Sequence, residues 1–383
     1  MAHKHSTALH PAQWRIFFLL PAGLALLAAL NAGLLLLGLQ APVTRWADLH
    51  GVLMVIGFLG TLIAMERAVA LRHPLGYLAP ALLGAGGLIL LTPLPTALSQ
   101  LLFAEGALAF CLLYLLLWRR SRDVLVLVQW LGGVHLLVAT ILWFFAPVSA
   151  MIPWFIGFLV LTITAERVEL ARIHMPAHGP TVLVLATTAL TLTITGVFFW
   201  PDLAVRLTGS ILLMLVLWLL QHDVARTFIR GTGLPRFSAA ALLGGYCWLA
   251  IAAVCWLIYG SQTSGFAYDA IVHSVMLGFA MSMVMAHAPI ILPAVLRRPL
   301  PYRPIMWGPL VLLHLGLIIR VLVGDLAQVT VVWQTGGVIT VAALLFFVLT
   351  AVTVSIRGQA TGRATRPPGH KLADNTSRVE RTP

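Results

Sequence analysis

The sequence predicts an all-α integral membrane protein with 12 transmembrane helices, arranged as three pseudo-symmetric units of four helices. Three observations carry this expectation. Hydrophobic residues fill 60% of the 383 positions and charged residues only 9%, too few to clothe a soluble domain of this length. Apolar stretches of about 18 residues or more, the length that crosses a bilayer as a helix, recur along the whole chain. One of these stretches is repeated a hundred positions later, and a fainter copy follows. Backbone in lipid must satisfy its hydrogen bonds internally, which a helix bundle does. The short alternating segments of a membrane β-barrel are absent.

Taken in order, the spans fall at 16–39, 49–71, 77–96, 99–118, 124–146, 150–171, 181–200, 203–222, 238–260, 266–293, 305–324 and 330–355. A short polar stretch, Met1 to about Trp14, precedes them. The first apolar run is too long for a signal-peptide core and no small-residue cleavage site follows it, so it counts as the first span. The connections are short and leave no room for a soluble domain. A single transmembrane domain over 1–356 is expected, with repeat units at about 1–118, 124–222 and 238–356. The tail from Arg357 to Pro383 carries Arg, Pro and Thr with almost no apolar residues, the composition of a disordered cytoplasmic segment.

A formal net charge of +12 would suit nucleic acid, but the basic residues sit at helix ends and form no solvated face. They act as topology signals. One side of the membrane receives Lys4, Arg15, Arg67, Arg72, Arg119, Arg120, Arg122, Arg167, Arg172, Arg226, Arg230, Arg236, Arg297, Arg298, Arg303 and the basic tail. The other receives little beyond Arg45, Arg206 and Arg320. This asymmetry predicts an even number of spans with both termini cytoplasmic. The three cysteines, Cys111, Cys247 and Cys255, lie in apolar segments without a CxxC spacing and read as small core residues. No phosphate-binding loop, GxSxG or HExxH is present, so ATP-driven transport and hydrolase chemistry have no support.

The repeat lies in the second and sixth spans. Residues 56–73 read IGFLGTLIAMERAVALRH and residues 156–174 read IGFLVLTITAERVELARIH. Gly57-Phe58, Glu66-Arg67 and Arg72 recur as Gly157-Phe158, Glu166-Arg167 and Arg172. The tenth span echoes this with Gly278-Phe279, and His287 stands where the glutamates stood. Functional sites in such proteins gather at repeat interfaces. The Glu-Arg pairs and His222-Asp223 fall at the arginine-rich helix ends, where structural pairing is the expected role. Glu105, in the outer half of the fourth span, is a candidate for proton movement.

Ionisable side chains in hydrocarbon are costly and mark candidate sites. His50 opens the second span (LHGVLMVIGF) and His273 lies near the start of the tenth (VHSVMLGF). Both spans run inward from the outer face, so the two imidazoles share a depth within about two turns of that face. They are placed to hold one haem iron from both sides, with iron-facing nitrogens about 4 Å apart, since metal–imidazole bonds are about 2 Å. The other reading has them as interfacial histidines bonded to backbone carbonyls. Met54 follows His50 on the same helical face. His273, Met276, Met283 and His287 form a stripe whose thioethers and imidazoles suit copper, although methionine is also an ordinary core filler. About 21 Å of helical rise separates His273 from His287, so they cannot share a metal. His135 and His314, near the bilayer middle, are candidates either for metal or for helix-bridging hydrogen bonds.

At these residues the chain resembles the NnrS family, twelve-span bacterial membrane proteins that bind haem and copper and are linked to nitric oxide and denitrification. The family's second span has a pattern like H-[GA]-H-E-M-x-x-G-F. Here His50, Met54 and Gly57-Phe58 match, while Val52 and Leu53 replace the second His and the Glu. In the tenth span His273, Gly278 and Met283 fit the family spacing. Weaker similarity runs through Leu243–Tyr259, with GGYCWLA, and through Arg297–Gly324. The family's histidine before the Arg298-Pro299-Leu300 loop is missing. A wider likeness is to the catalytic subunit of the haem–copper oxidase and nitric oxide reductase superfamily. That fold also has three arcs of four helices, and histidines on its second and tenth helices hold a low-spin haem near the outer face. That superfamily's reactive metal needs further histidines on helices six and seven, and the corresponding spans here carry none within the membrane.

The resemblance implies a multi-pass protein of the bacterial inner membrane. It would hold haem b, and by the same resemblance copper, and serve nitric oxide response or denitrification. His50 and His273 would be the axial ligands, with Arg45, Arg206 or Arg320 as propionate partners. Any enzymatic activity would be haem-dependent oxidoreduction of nitric oxide, with an electron-transfer partner. A secondary transporter is the second reading. It would need broken helices and midplane charges, and the midplane offers chiefly His135 and His314.

Overall fold

In the computed structural model, which describes residues 15–172 and 174–364, the chain is a bundle of helices with no strand among the described residues. Eleven of these helices are long and apolar enough to cross a membrane. They are α1 (Ile16–Leu36), α2 (Thr44–Leu71), α4 (Thr96–Ser121), α5 (Val124–Leu142), α6 (Val148–Leu170), α7 (Gly179–Gly196), α8 (Pro201–His222), α9 (Gly233–Tyr259), α10 (Gly265–Val295), α11 (Pro304–Asp325) and α12 (Thr330–Arg357). The third expected span is a shorter apolar helix, α3 (Pro74–Leu90), packed against α1 and α4. It begins before the expected 77 because Pro74 opens a 3₁₀ turn through Tyr77. It stops short of 96 because Pro93 and Pro95 cannot continue a helix and bias the residues before them away from helical geometry. The last helix runs past Arg357 to Ala364, further than its polar composition suggested. The rest of the expected disordered tail, and the N-terminal stretch to Trp14 with Lys4, lie outside the described residues.

Three helices occupy the centre. In α2, α6 and α10, 72%, 83% and 78% of the residues in the most apolar stretch are buried, against at most 56% in any other long span. These are the three spans that carry the repeated Gly-Phe. In each, the repeated glycine packs closely against the long helix that precedes it. A Cβ on Gly57 would lie 3.0 Å from the Ala25 methyl of α1. One on Gly157 would lie 2.4 Å from the His135 ring of α5, and one on Gly278 2.4 Å from Trp248 of α9. Without a hydrophobic force between helices in lipid, close packing over small residues is what holds them together.

Three segments depart from α-helical geometry. Leu53–Gly60 in α2, Ser274–Met281 in α10 and Ile318–Asp325 in α11 are π-helical. Such wider turns are rare and gather at functional sites.

The tight contact at Gly278 gives a direct test. Gly278→Ala forces Trp248 aside, and overpacking of this kind costs about 1–3 kcal/mol. Thermal unfolding in detergent should show a lowered midpoint. Gly23→Ala, where a Cβ meets nothing within 4 Å, should not lower it.

Candidate functional site

A cavity of about 990 Å³ lies among α1, α2, α6, α10, α11 and α12 at the end of the bundle where α2 and α10 begin. His50 and His273 both line it. Their ring centres are 6.4 Å apart, with 29° between the planes. The backbone brings each ring to this position by a different route. His50 follows the 3₁₀ turn Thr44–Leu49 and leans on α1, where its Nδ1 donates to the Ala29 carbonyl at 2.8 Å. That carbonyl is reachable because the residue one turn further on is Gly33. A Cβ there would sit 3.2 Å from the His50 ring, so the glycine is the cradle for the imidazole. His273 ends the α-helical part of α10, and its Nδ1 lies 3.1 Å from the Asp269 carbonyl one turn back.

Because carbonyl oxygens only accept, both Nδ1 atoms carry the proton, and both Nε2 atoms are left as free acceptors. Histidines that bind metal commonly have one nitrogen anchored and the other free, although His135 and His287 share that pattern here. Two imidazoles on one metal, with bonds of about 2 Å and about 1 Å more to each ring centre, would have centres about 6 Å apart. The residues present therefore fit a metal held between the two rings. The cavity beside them is lined chiefly by apolar residues, among them Leu30, Val55, Ile152 and Leu344.

A charged cluster stands behind His273. Asp269 Oδ1 lies 3.1 Å from His273 Nδ1, which therefore has the side chain as well as the carbonyl of Asp269 within reach. Arg320 grips the same carboxylate with both prongs, NH2 to Oδ1 at 2.7 Å and Nε to Oδ2 at 2.9 Å. Trp333 Nε1 donates to Oδ2 at 3.1 Å. Asp325 also lines the cavity and is buried, with one carboxylate oxygen lacking a partner. Each of the three π-helical segments contributes to the wall: Met54 and Val55, Met276 and Leu277, and Arg320 with Gly324 and Asp325.

The remaining expected residues are distributed as follows. Met54 and Met276 line the cavity, whereas Met283, His287, His135 and His314 do not. The stripe His273, Met276, Met283, His287 thus splits along α10 and does not converge on one point. Met283 packs over Gly245. His287 is buried towards the arginine-rich end, with Nδ1 donating to the Met283 carbonyl at 2.8 Å. His135 fills the space above Gly157 and lies against Trp154. His314 accepts from Trp248 Nε1 at 2.9 Å and so bridges α9 and α11. Of the three arginines, Arg320 lines the cavity and Arg45 and Arg206 do not. Arg45 donates to the Leu91 carbonyl, and Arg206 pairs with Asp202 and caps the carbonyls of Leu257 and Ile258. Glu105 is exposed on α4. Among the described residues no group of three or more His, Cys, Asp or Glu side chains is arranged to hold a metal ion.

Asp269, Trp333, Asp325 and Gly33 were not singled out from the sequence. For Asp269 a signal existed: it stands four residues before His273, and such pairs share a helical face. The other three approach the site from distant parts of the chain, and no local pattern marks them.

The arginine-rich end is held by ion pairs. Arg67 meets Glu66 and Glu166, the latter at 3.2 Å, and reaches Gln129 on α5. This joins α2 to α6 through the two repeated Glu-Arg motifs. Arg167 grips Asp223 with NH2 at 2.8 Å and Nε at 3.2 Å, and Tyr246 donates to the same carboxylate at 2.6 Å. Arg167 and Asp223 are both buried, so neither charge can turn to water.

The fold and the cavity together define a multi-pass α-helical membrane protein with an anchored pair of histidines in an apolar pocket. The chain belongs to the family described as a domain of unknown function, DUF8744, whose model matches residues 15–356. No curated protein matches it.

Removing one member of a buried ion pair leaves the other charge uncompensated, at a cost of about 3–5 kcal/mol. Arg167→Met should therefore lower thermal stability in detergent sharply. Adding Asp223→Asn to it should recover part of the loss.

Proposed function

We propose that the cavity holds one haem b, with His50 and His273 as its two axial ligands, and that the protein is a haem-binding membrane protein resembling the NnrS family in nitric oxide response or denitrification. The observation that carries the haem reading is the ring pair: 6.4 Å between centres, with both Nδ1 atoms anchored and both Nε2 atoms free. The nitric oxide assignment comes from the resemblance at the second and tenth spans. When bound, haem supplies one-electron chemistry. The protein's own part is to hold the two imidazoles in fixed tautomers, to wall the group with Leu30, Val55, Ile152 and Leu344, and to keep water from its faces. Ligands on both sides suit electron transfer better than catalysis at the metal. Of the three outer-side arginines Arg320 is the one that lines the cavity and would be available to a carboxylate of the group, although it is already paired with Asp269.

A copper ion held by the same imidazoles is the second reading. It is favoured by Met54 and Met276, two residues of the cavity lining whose thioethers suit copper.

We also place the protein in the bacterial cytoplasmic membrane with both termini cytoplasmic and the cavity towards the outer face, following the side on which arginine accumulates. Three equivalent units, α1–α4, α5–α8 and α9–α12, are part of the same proposal, and the recurrent glycine contacts support them.

A visible spectrum of the detergent-purified protein tests the central reading. A six-coordinate low-spin b-type signal is expected, lost or converted to high spin by His50→Ala or His273→Ala and retained in His287→Ala. Absence of haem after expression with ample haem supply removes the reading, and stoichiometric copper in its place favours the second. A C-terminal reporter should be active in the cytoplasm. Activity only in the periplasm overturns the topology.

A further inference from the structure

The two histidines are anchored unequally. His50 Nδ1 meets a neutral backbone carbonyl, whereas His273 Nδ1 has a carboxylate oxygen at 3.1 Å as well as a carbonyl. The carboxylate is not free to turn away. Arg320 holds both of its oxygens and Trp333 holds one. The three residues come from three helices, α10, α11 and α12, so the arrangement is built by tertiary packing. Arg320 is 8% exposed, and its guanidinium also lies over the Trp333 ring at 5.0 Å. A buried pair of this kind contributes little net stability, so its presence at this point calls for a role at the site.

We infer that Asp269 is a positioning residue that sets the reduction potential of a metal bound through His273, and that Arg320 sets how strongly Asp269 acts. This rests on the haem reading above. A carboxylate accepting the Nδ1 proton pushes electron density towards Nε2 and raises ligand basicity. Its negative charge near the metal works in the same direction. Both favour the more highly charged, oxidised iron and lower the potential. Arg320 opposes this by drawing density from the carboxylate and balancing its charge. Trp333 Nε1 does the same more weakly, as a neutral donor. His50 has no such partner, so the tuning is confined to one ligand.

The two main substitutions therefore act with opposite signs. Asp269→Asn keeps the shape, weakens the pull on Nδ1, and raises the midpoint potential. Arg320→Gln leaves a stronger acceptor, held by Trp333 alone, and lowers it. Second-shell changes at metal sites typically alter metal affinity about tenfold or more. A tenfold change in the preference for ferric over ferrous iron is about 59 mV for one electron. In the double variant the effect of Arg320→Gln should nearly vanish, because the group through which it acts is gone. A residue that merely supports the fold would not give shifts of opposite sign.

The experiment is an optically monitored redox titration of the full-length protein purified with haem b, on the wild type, Asp269→Asn, Arg320→Gln, the double variant and Trp333→Phe. Low-temperature electron paramagnetic resonance of each ferric form verifies that both axial ligands remain. The expected result is a rise for Asp269→Asn, a fall for Arg320→Gln and a smaller fall for Trp333→Phe. If Asp269→Asn fails to retain haem, the signs of the Arg320 and Trp333 variants decide. A wild type with six-coordinate haem whose potential is unmoved by these changes overturns this inference and leaves the haem reading standing. An Arg320→Gln shift of equal size with and without Asp269 overturns the role of Arg320 through Asp269, and is what direct contact with a haem propionate would give. A wild type without haem removes both.

Discussion

Because α2, α6 and α10 are the most buried of the long helices, the charged groups on them are met by other parts of the bundle. Hydrocarbon offers no water to a carboxylate, an imidazole or a widened helical turn. The rest of the molecule follows from how this demand is met. At the arginine-rich end the demand is met by ion pairs: the repeated Glu-Arg motifs tie α2 to α6, and Arg167 with Asp223 and Tyr246 ties α6 to α8 and α9. At the opposite end it is met by anchored histidines around a cavity. The same three helices therefore connect an end tied by ion pairs to an end that carries the histidine-lined cavity.

The cavity sits where helical geometry gives way. In each of α2, α10 and α11 a π-helical segment borders it. A π turn inserts one extra residue and rotates the side chains beyond it, so a ligand and the packing residues after it can face different neighbours. In α2 this lets His50 point at α1 and the cavity while Gly57 still packs on Ala25. In α10 it lets His273 reach Asp269 and the cavity while Gly278 still receives Trp248. The wide turns reconcile a site with a tightly packed core on the same helix.

The shared tautomer logic of the two histidines is independent of what they hold. With both Nδ1 protons committed to carbonyl or carboxylate oxygen, the free nitrogens are presented as ligands without any further rearrangement. Binding then needs little reorganisation of side chains, which favours affinity and a well-defined geometry at the metal. The anchor alone does not distinguish them, since His135 and His287 also donate Nδ1 to a carbonyl one turn back and leave Nε2 without a partner; what His50 and His273 have in addition is each other and the cavity that both line.

The membrane class and the order of the spans were legible in the sequence, because apolar runs of spanning length arise from composition alone. The repeated Gly-Phe singled out α2, α6 and α10 in the sequence, but their place at the centre of the bundle came from the structure. The pairing of His50 with His273 was legible because equal depth on two spans follows from counting residues. The third helix was placed too late because Pro74 and the prolines after Leu90 set its ends more strongly than hydropathy does. Only the tertiary structure decided which arginine reaches the cavity. Arg45, Arg206 and Arg320 stand alike as outer-side cations in the sequence, and whether each meets a carboxylate, a carbonyl or the pocket depends on how its helix is rotated. The same holds for Asp269 with Trp333, for Gly33 beneath His50 and for the three π turns. These depend on contacts between residues far apart in the chain, and helix rotation within an apolar bundle leaves little trace in a sequence where most faces are apolar.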